Sequence, residues 1–146
     1  MTLVDVLRPR PETSGRGRRM LRPLGVAAAA CAVVTTVGVL DPNQPGHYPT
    51  CPWLFLTGTW CPGCGTLRAL HDLGHGDVVG ALDRNPLTVV ATAGLLVWFG
   101  VWVRRLWLGR QRTSMAPAWL IYSLFWLIVV FWVARNVPGW TWLSPA

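Results

Sequence analysis

The chain contains no lysine, and charged residues of any kind make up only 13% of its 146 positions. So little charge beside 52% apolar residues argues against a soluble globular domain, which carries about 25% charged residues. Cysteine is scarce as well: Cys31, Cys51, Cys61 and Cys64 are too few for a disulfide-dense secreted scaffold. Three long apolar runs contain neither a charged residue nor a histidine. With no ionisable group inside them, nothing marks a proton relay or an ion path, and a pump or ion-coupled transporter is disfavoured. The same runs use up so much of the chain that no large soluble enzyme core remains, and one domain is the limit.

The charge that is present is one-sided: thirteen arginines against six acids, a formal +7. Residues 1–23 hold six of these arginines (Arg8, Arg10, Arg16, Arg18, Arg19, Arg22) with three prolines and two glycines. Such a stretch buries too little surface to offset its ordering entropy, so it reads as a disordered basic tail. The remainder, residues 24–146, reads as a single three-span membrane domain. The first span is residues 24–40, 17 uncharged residues at the short end of what crosses the hydrocarbon core. A signal peptide is the rival reading of tail and span together, but no A-x-A-like site precedes Asp41, which favours an uncleaved anchor. The second and third spans, 86–103 and 117–134, are 18 uncharged residues each, and each opens on proline. Asn85 suits the cap of the second and Pro86 its first turn, where no N–H is needed. The expected fold class is therefore an all-α membrane protein with three transmembrane helices and short interfacial helices between the first and second.

Orientation follows from the arginines, which are retained on the cytoplasmic side of short flanking segments. Six precede the first span and four (Arg104, Arg105, Arg110, Arg112) separate the second from the third, while only Arg68, Arg84 and Arg135 fall opposite. The N-terminus is thus expected on the cytoplasmic side of the cell membrane, with segment 41–85 and the C-terminus on the extracytoplasmic side. Topology accounts for the arginine excess, so no nucleic-acid partner is expected. Tryptophan agrees: Trp102, Trp107 and Trp119 cluster at the proposed inner boundary and Trp132, Trp140 and Trp142 at the outer one. Trp98 and Trp126, in mid-span, read as helix packing.

Segment 41–85 carries all three histidines, three of the four cysteines and four of the six acids, so whatever chemistry exists is there. Its proline- and glycine-rich first half reads as irregular, with an apolar Trp53-Leu54-Phe55-Leu56 patch dipping into the interface. In its second half, the spacing predicts one short helix over 66–73 and a second, capped by Asp77, through Leu82. Cys61-Pro62-Gly63-Cys64 stands just before the first of these, where unpaired N–H groups, the helix dipole and Arg68 one turn on would favour a thiolate. Three uses remain open. An outward, oxidising location suits a structural disulfide. Cys51, Cys61, Cys64 and His71 make a Cys₃His set for zinc, with His47 and His75 as fallback ligands, although C-x₉-C-x₂-C is not a standard ribbon or finger. Thiol redox chemistry, with Cys61 attacking and Cys64 resolving, is the third use, but the β-α-β context of such motifs is absent. Cys31, midway along the first span, reads as an inert apolar residue.

Thr57-Gly58, Cys61-Pro62-Gly63-Cys64-Gly65 with Arg68-Ala69-Leu70-His71, Gly76-Asp77, Ala81, Asn85-Pro86, and Arg135-Asn136 with Pro138 together carry a resemblance. Over about residues 42–143 the chain resembles a bacterial membrane-protein family, domain of unknown function 2752, through its C-P-x-C-G-x-T-R core. The resemblance implies a short multi-pass membrane protein with the cysteine motif near a membrane face, and no activity. The chain departs from the pattern in having Leu67 directly before Arg68, with Thr66 one place earlier. The absence of lysine, beside abundant Ala, Gly and Arg, suits a GC-rich bacterium. Within the motif, Gly65 permits a tight turn after Cys64, Gly76 a break before Asp77, and Asn85-Pro86 sets the start of the second span. Arg68, Asp72, Asp77, Asp83 and Arg84 read as solvated charges and caps, with pairing of Arg68 to an acid or a lipid phosphate as the sharper alternative. The leading expectation is a binding or interaction module for a partner membrane protein or lipid, held by a disulfide or structural metal. A membrane thiol-disulfide oxidoreductase using Cys61 and Cys64 is the alternative.

Overall fold

In the computed structural model, the described residues are 15–44, 46–49, 51–110, 117–140 and 143, and they contain six α-helices and no strand. In chain order these are α1 (Arg16–Val39), α2 (Pro52–Thr57), α3 (Thr66–Gly74), α4 (Val78–Arg84), α5 (Pro86–Trp107) and α6 (Ala118–Arg135). Helices α1, α5 and α6 are the three long and apolar enough to cross a membrane, and nearly all of their side chains face outward rather than into a core. That arrangement is stable only where the surrounding solvent is itself apolar, so the chain is a multi-pass membrane protein.

The first helix differs from expectation at its start. It begins at Arg16, so residues 16–23 are helical rather than disordered, while residues 1–14 of the expected tail lie outside the described residues. Arginine and leucine are good helix formers, and the apolar stretch that follows extends backward through them despite Pro23 inside the helix. The short α2 is the other departure: residues expected to be irregular form a helical turn. Pro52 stands in its first turn and Gly58 closes it in the left-handed region at φ 69°. Its Phe55 and Leu56 remain exposed, and Trp53 meets Trp132 of α6 edge to face at 5.6 Å between ring centroids.

The remaining local signals act as expected. Asp77 caps α4 by accepting from the Gly80 N–H at 2.8 Å, and Asn85 caps α5 by accepting from the Thr88 N–H at 3.1 Å, with Pro86 following. Helix α3 packs on α4, on the C-terminal end of α1 and on the N-terminal end of α5, and α1 and α5 run side by side in opposite directions. Trp142 and Arg112 lie outside the described residues.

Few of the described residues are buried; apart from Pro23, Val37 and Leu143, they gather around the cysteines. Cys64, Ala69, Ala81, Asn85, Thr88 and Arg135 lie beneath the turn between α2 and α3. The fold is thus a lipid-facing set of helices with a small, unusually polar core around the cysteine loop.

Candidate functional site

In the loop Trp60–Gly65 the carbonyls of Cys61, Gly63 and Gly65 accept from the backbone N–H groups of Cys64, Thr66 and Ala69, and those of Trp60, Pro62 and Cys64 must find partners elsewhere. Two side chains from distant positions supply them. Asn85, 0% exposed, donates from Nδ2 to the carbonyls of Pro62 (2.9 Å) and Cys64 (3.1 Å) while its Oδ1 caps α5. Asn136, just past the end of α6, donates from Nδ2 to the Trp60 carbonyl at 2.8 Å and accepts the Trp60 N–H on Oδ1 at 2.8 Å. Arg135, 1% exposed, donates to the carbonyls of Arg84 (3.1 Å) and Cys61 (3.5 Å). Thr66 and Thr88 join the same region through their hydroxyls at 3.0 Å. Gly65 completes the loop at φ 81°, a left-handed conformation a side chain would strain, and caps α3.

Held in this way, the loop brings three sulfurs together. Cys61 Sγ is 3.1 Å from Cys64 Sγ and 3.6 Å from Cys51 Sγ, and all three lie within 4.8 Å of one another. Cys51 arrives from the N-terminal end of α2, where the Leu54 backbone N–H, aided by the neighbouring thiols and the Trp53 N–H, holds its thiol below the ordinary range against the opposing effect of burial. Cys64 is buried, and burial together with the Cys61 thiol pushes it up to about 12. The thiolate expected at the start of α3 is therefore not favoured at Cys64, because desolvation there outweighs the hydrogen bonding.

Of the expected Cys₃His residues the structure brings together Cys51, Cys61 and Cys64, while His71 bonds elsewhere. Its ring closes the end of α1 instead: Nδ1 donates to the Val37 carbonyl at 2.9 Å, and Nε2 faces Asp41 Oδ1 at 3.7 Å. Position 71 lies on the face of α3 turned toward α1, so the same helix that follows Cys64 carries its histidine away from it. The fallback histidines behave alike. His75 stacks on His71 at 4.4 Å and bonds to its carbonyl, and His47 Nδ1 donates to the Asp41 carbonyl at 2.9 Å. The Asn43 backbone N–H, with the Asn43 side chain and the two histidines, holds the half-buried Asp41 carboxyl below the ordinary range.

The other motif residues have structural places. Arg68 is half-buried on α3, Gly76 turns the chain at φ 81° into the Asp77 cap, and Arg84 faces Asp72 at 3.8 Å across α3 and α4. The cation set against Cys61 and Cys64 is Arg135, which the sequence marks as an outer-face charge and as part of the family resemblance but does not connect to the cysteines. Its signal was an arginine–asparagine pair directly after an apolar run, two features that local pattern alone does not connect to a cysteine loop.

Residues 51–99 match the family described as Protein of unknown function (DUF2752). That stretch holds the three clustered cysteines, Gly65, Arg68, Asn85 and Pro86, in agreement with the resemblance the motif carries. Arg135 and Asn136 fall beyond it. No curated protein and no solved structure matches the chain.

Proposed function

We propose that Cys51, Cys61 and Cys64 bind a divalent thiophilic metal, zinc being the best fit, and that this centre fastens segment 41–85 as the binding module of a multi-pass membrane protein. The observation that carries this reading is Arg135. Its guanidinium is 1% exposed, its Nε has no hydrogen-bond partner, and among the described residues no carboxylate stands within ion-pair distance of it. A buried cation without a counter-charge is strongly destabilising. The Arg135 guanidinium lies over the Phe131 ring, 5.4 Å from the centroid, and the ionisable groups that face it are Cys64 and Cys61. A neutral disulfide or neutral thiols would leave the arginine uncompensated, whereas three thiolates around a divalent ion carry one net negative charge, which Arg135 balances. The spacing suits such an ion: zinc–sulfur bonds of about 2.3 Å place tetrahedral sulfurs about 3.8 Å apart. The fourth position remains open to water or to a group from a partner.

Arginine placement supports an extracytoplasmic location for this centre and for the C-terminus, with the N-terminus in the cytoplasm. The outer segment then presents its apolar α2 face beside the centre, a surface suited to a partner membrane protein or to lipid.

Full-length protein purified in detergent is expected to carry stoichiometric zinc, lost in Cys51→Ser and kept in Cys31→Ser. A metal-free protein with a quantitative Cys61–Cys64 disulfide would overturn the reading.

One observation favours a second reading, a thiol-disulfide oxidoreductase: Cys61 Sγ lies between the other two sulfurs, with Cys51 and Cys64 shifted in opposite directions. In that reaction Cys61 thiolate attacks an external disulfide and releases one thiolate from it, after which Cys64 displaces the second and leaves a Cys61–Cys64 bond. A mixed disulfide trapped by Cys64→Ser and not by Cys61→Ser would establish it.

A further inference from the structure

The end of the molecule remote from the cysteines carries a charge pattern that the metal centre does not explain. Helix α1 opens with Arg16, Arg18, Arg19 and Arg22, α5 closes with Arg104 and Arg105, and Arg110 follows. The four acids of the described residues, Asp41, Asp72, Asp77 and Asp83, all lie in the segment joining the opposite ends of these helices. The antiparallel packing of α1 on α5 therefore brings seven guanidinium groups together with no acid among the described residues at that end. Over the width of two helices, about 20 Å, such groups raise a strong positive potential.

The two helix ends also interlock. The Arg16 guanidinium lies over the Trp107 ring, 4.9 Å from its centroid. The Arg19 guanidinium fills the space beside Gly109, which turns the chain at φ +67° and where a Cβ would run into Nη1. All of these arginines except the half-buried Arg19 are exposed, as are the adjoining Leu21, Leu24, Trp107 and Leu108. Retention of the end on one side of a membrane requires only that arginines be numerous. Their convergence from two helices, with exposed Leu24 where the apolar run of α1 begins and exposed Trp107 and Leu108 among the arginines of α5, goes further.

We propose that this paired basic end of α1 and α5 is a binding site for an anionic phospholipid, whose headgroup phosphate bridges the two helices. A guanidinium fork matches phosphate oxygens in pairs, which an ammonium group does not. Trp107, set among the arginines, suits the headgroup region that indole rings favour, and Leu24, at the start of the apolar run, adjoins the acyl chains. A soluble polyanion would match the charge and leave these exposed apolar side chains without a role. The bound phosphate would hold α1 against α5.

The test uses full-length protein in detergent, titrated with phosphatidylglycerol and with phosphatidylcholine, and lipid retention read by native mass spectrometry. Retention of phosphatidylglycerol about tenfold or more above phosphatidylcholine is expected, the scale of one to two basic contacts. The preference should shrink as ionic strength rises toward about 1 M, where screening reaches contact distance. It should largely vanish in Arg19→Gln/Arg105→Gln and survive in part in Arg19→Lys/Arg105→Lys. Equal retention of the two lipids, or a preference indifferent to salt, would overturn the proposal, and the salt series on the unaltered protein decides even if a variant fails to fold. Competition by inorganic phosphate as strong as that by the lipid would assign the site to free anions and also overturn it. Zinc content should not change in any of these variants.

Discussion

Asn136 holds Trp60 by both of its backbone polar groups, accepting the N–H and donating to the carbonyl, each at 2.8 Å and across 76 positions of sequence. The pairing resembles one rung of a sheet ladder made by a side chain. A third bond, from Nδ2 to the Trp132 carbonyl at 2.9 Å, ties the same amide to the last turn of α6. The third span is thereby fastened to the cysteine loop at its end.

Asn136→Ala should destabilise the loop by about 2–4 kcal/mol, since it leaves the paired Trp60 groups unsatisfied as well as removing the bonds. Asn136→Asp keeps the acceptor and loses the donors, so it should recover only part of the loss. Denaturant unfolding followed by Trp fluorescence checks both, and wild-type stability in the alanine variant would refute the role of the amide.

At Asn85 one side chain serves two ends, capping α5 and holding the carbonyls of Pro62 and Cys64. Asn85→Asp retains a good cap and abolishes the donors. It should therefore preserve α5 while loosening the loop, seen as normal helicity by circular dichroism together with faster alkylation of Cys64. Equal damage to both readouts would mean the two roles are not separable.

Arg135→Met removes the buried charge while keeping most of the side-chain volume. If the cysteine cluster is anionic, zinc affinity should fall by about 10–100-fold, the usual cost of losing an outer partner of a metal site. Arg135→Lys, which keeps the charge and loses the fork, should retain more metal. Competition with a chromogenic chelator measures both; unchanged affinity in the methionine variant would break the charge-balance argument.

In metal-free, reduced protein the pH dependence of stability should report Cys64. Its thiol is pushed up to about 12 from an ordinary value of 9.0, so the fold favours the neutral form. The associated stabilisation is complete below 9.0 and is lost as pH rises from there toward about 12. Wild type should therefore lose stability relative to Cys64→Ser between neutral and strongly alkaline pH, as read from unfolding midpoints. Over the same range Cys51, more exposed and with its thiol held low, should be alkylated before Cys64.

Orientation has a direct measurement. With metal removed and thiols reduced, a membrane-impermeant maleimide should label Cys51 or Cys61 in intact cells and spare Cys31. Labelling only after lysis would place the cysteine loop in the cytoplasm.

The amino-acid sequence by itself determined the features that depend on near neighbours. Three uncharged runs long enough to cross a bilayer, the Asp77 and Asn85 caps, Pro86 in the first turn of α5 and the turn at Gly65 rest on local hydropathy and backbone freedom. Where a local expectation failed, a longer-range or cooperative effect prevailed: the apolar run of α1 carried the helix back through Arg16, and burial overrode the helix start at Cys64. Tertiary structure alone decided which of the loaded residues meet. It brought Cys51 to Cys61 and Cys64, turned His71 toward Val37 and Asp41, and set Arg135 from the far end of the chain against the thiols. These outcomes depend on how helices pack around a loop whose carbonyls need partners, a requirement that spacing along the chain does not encode.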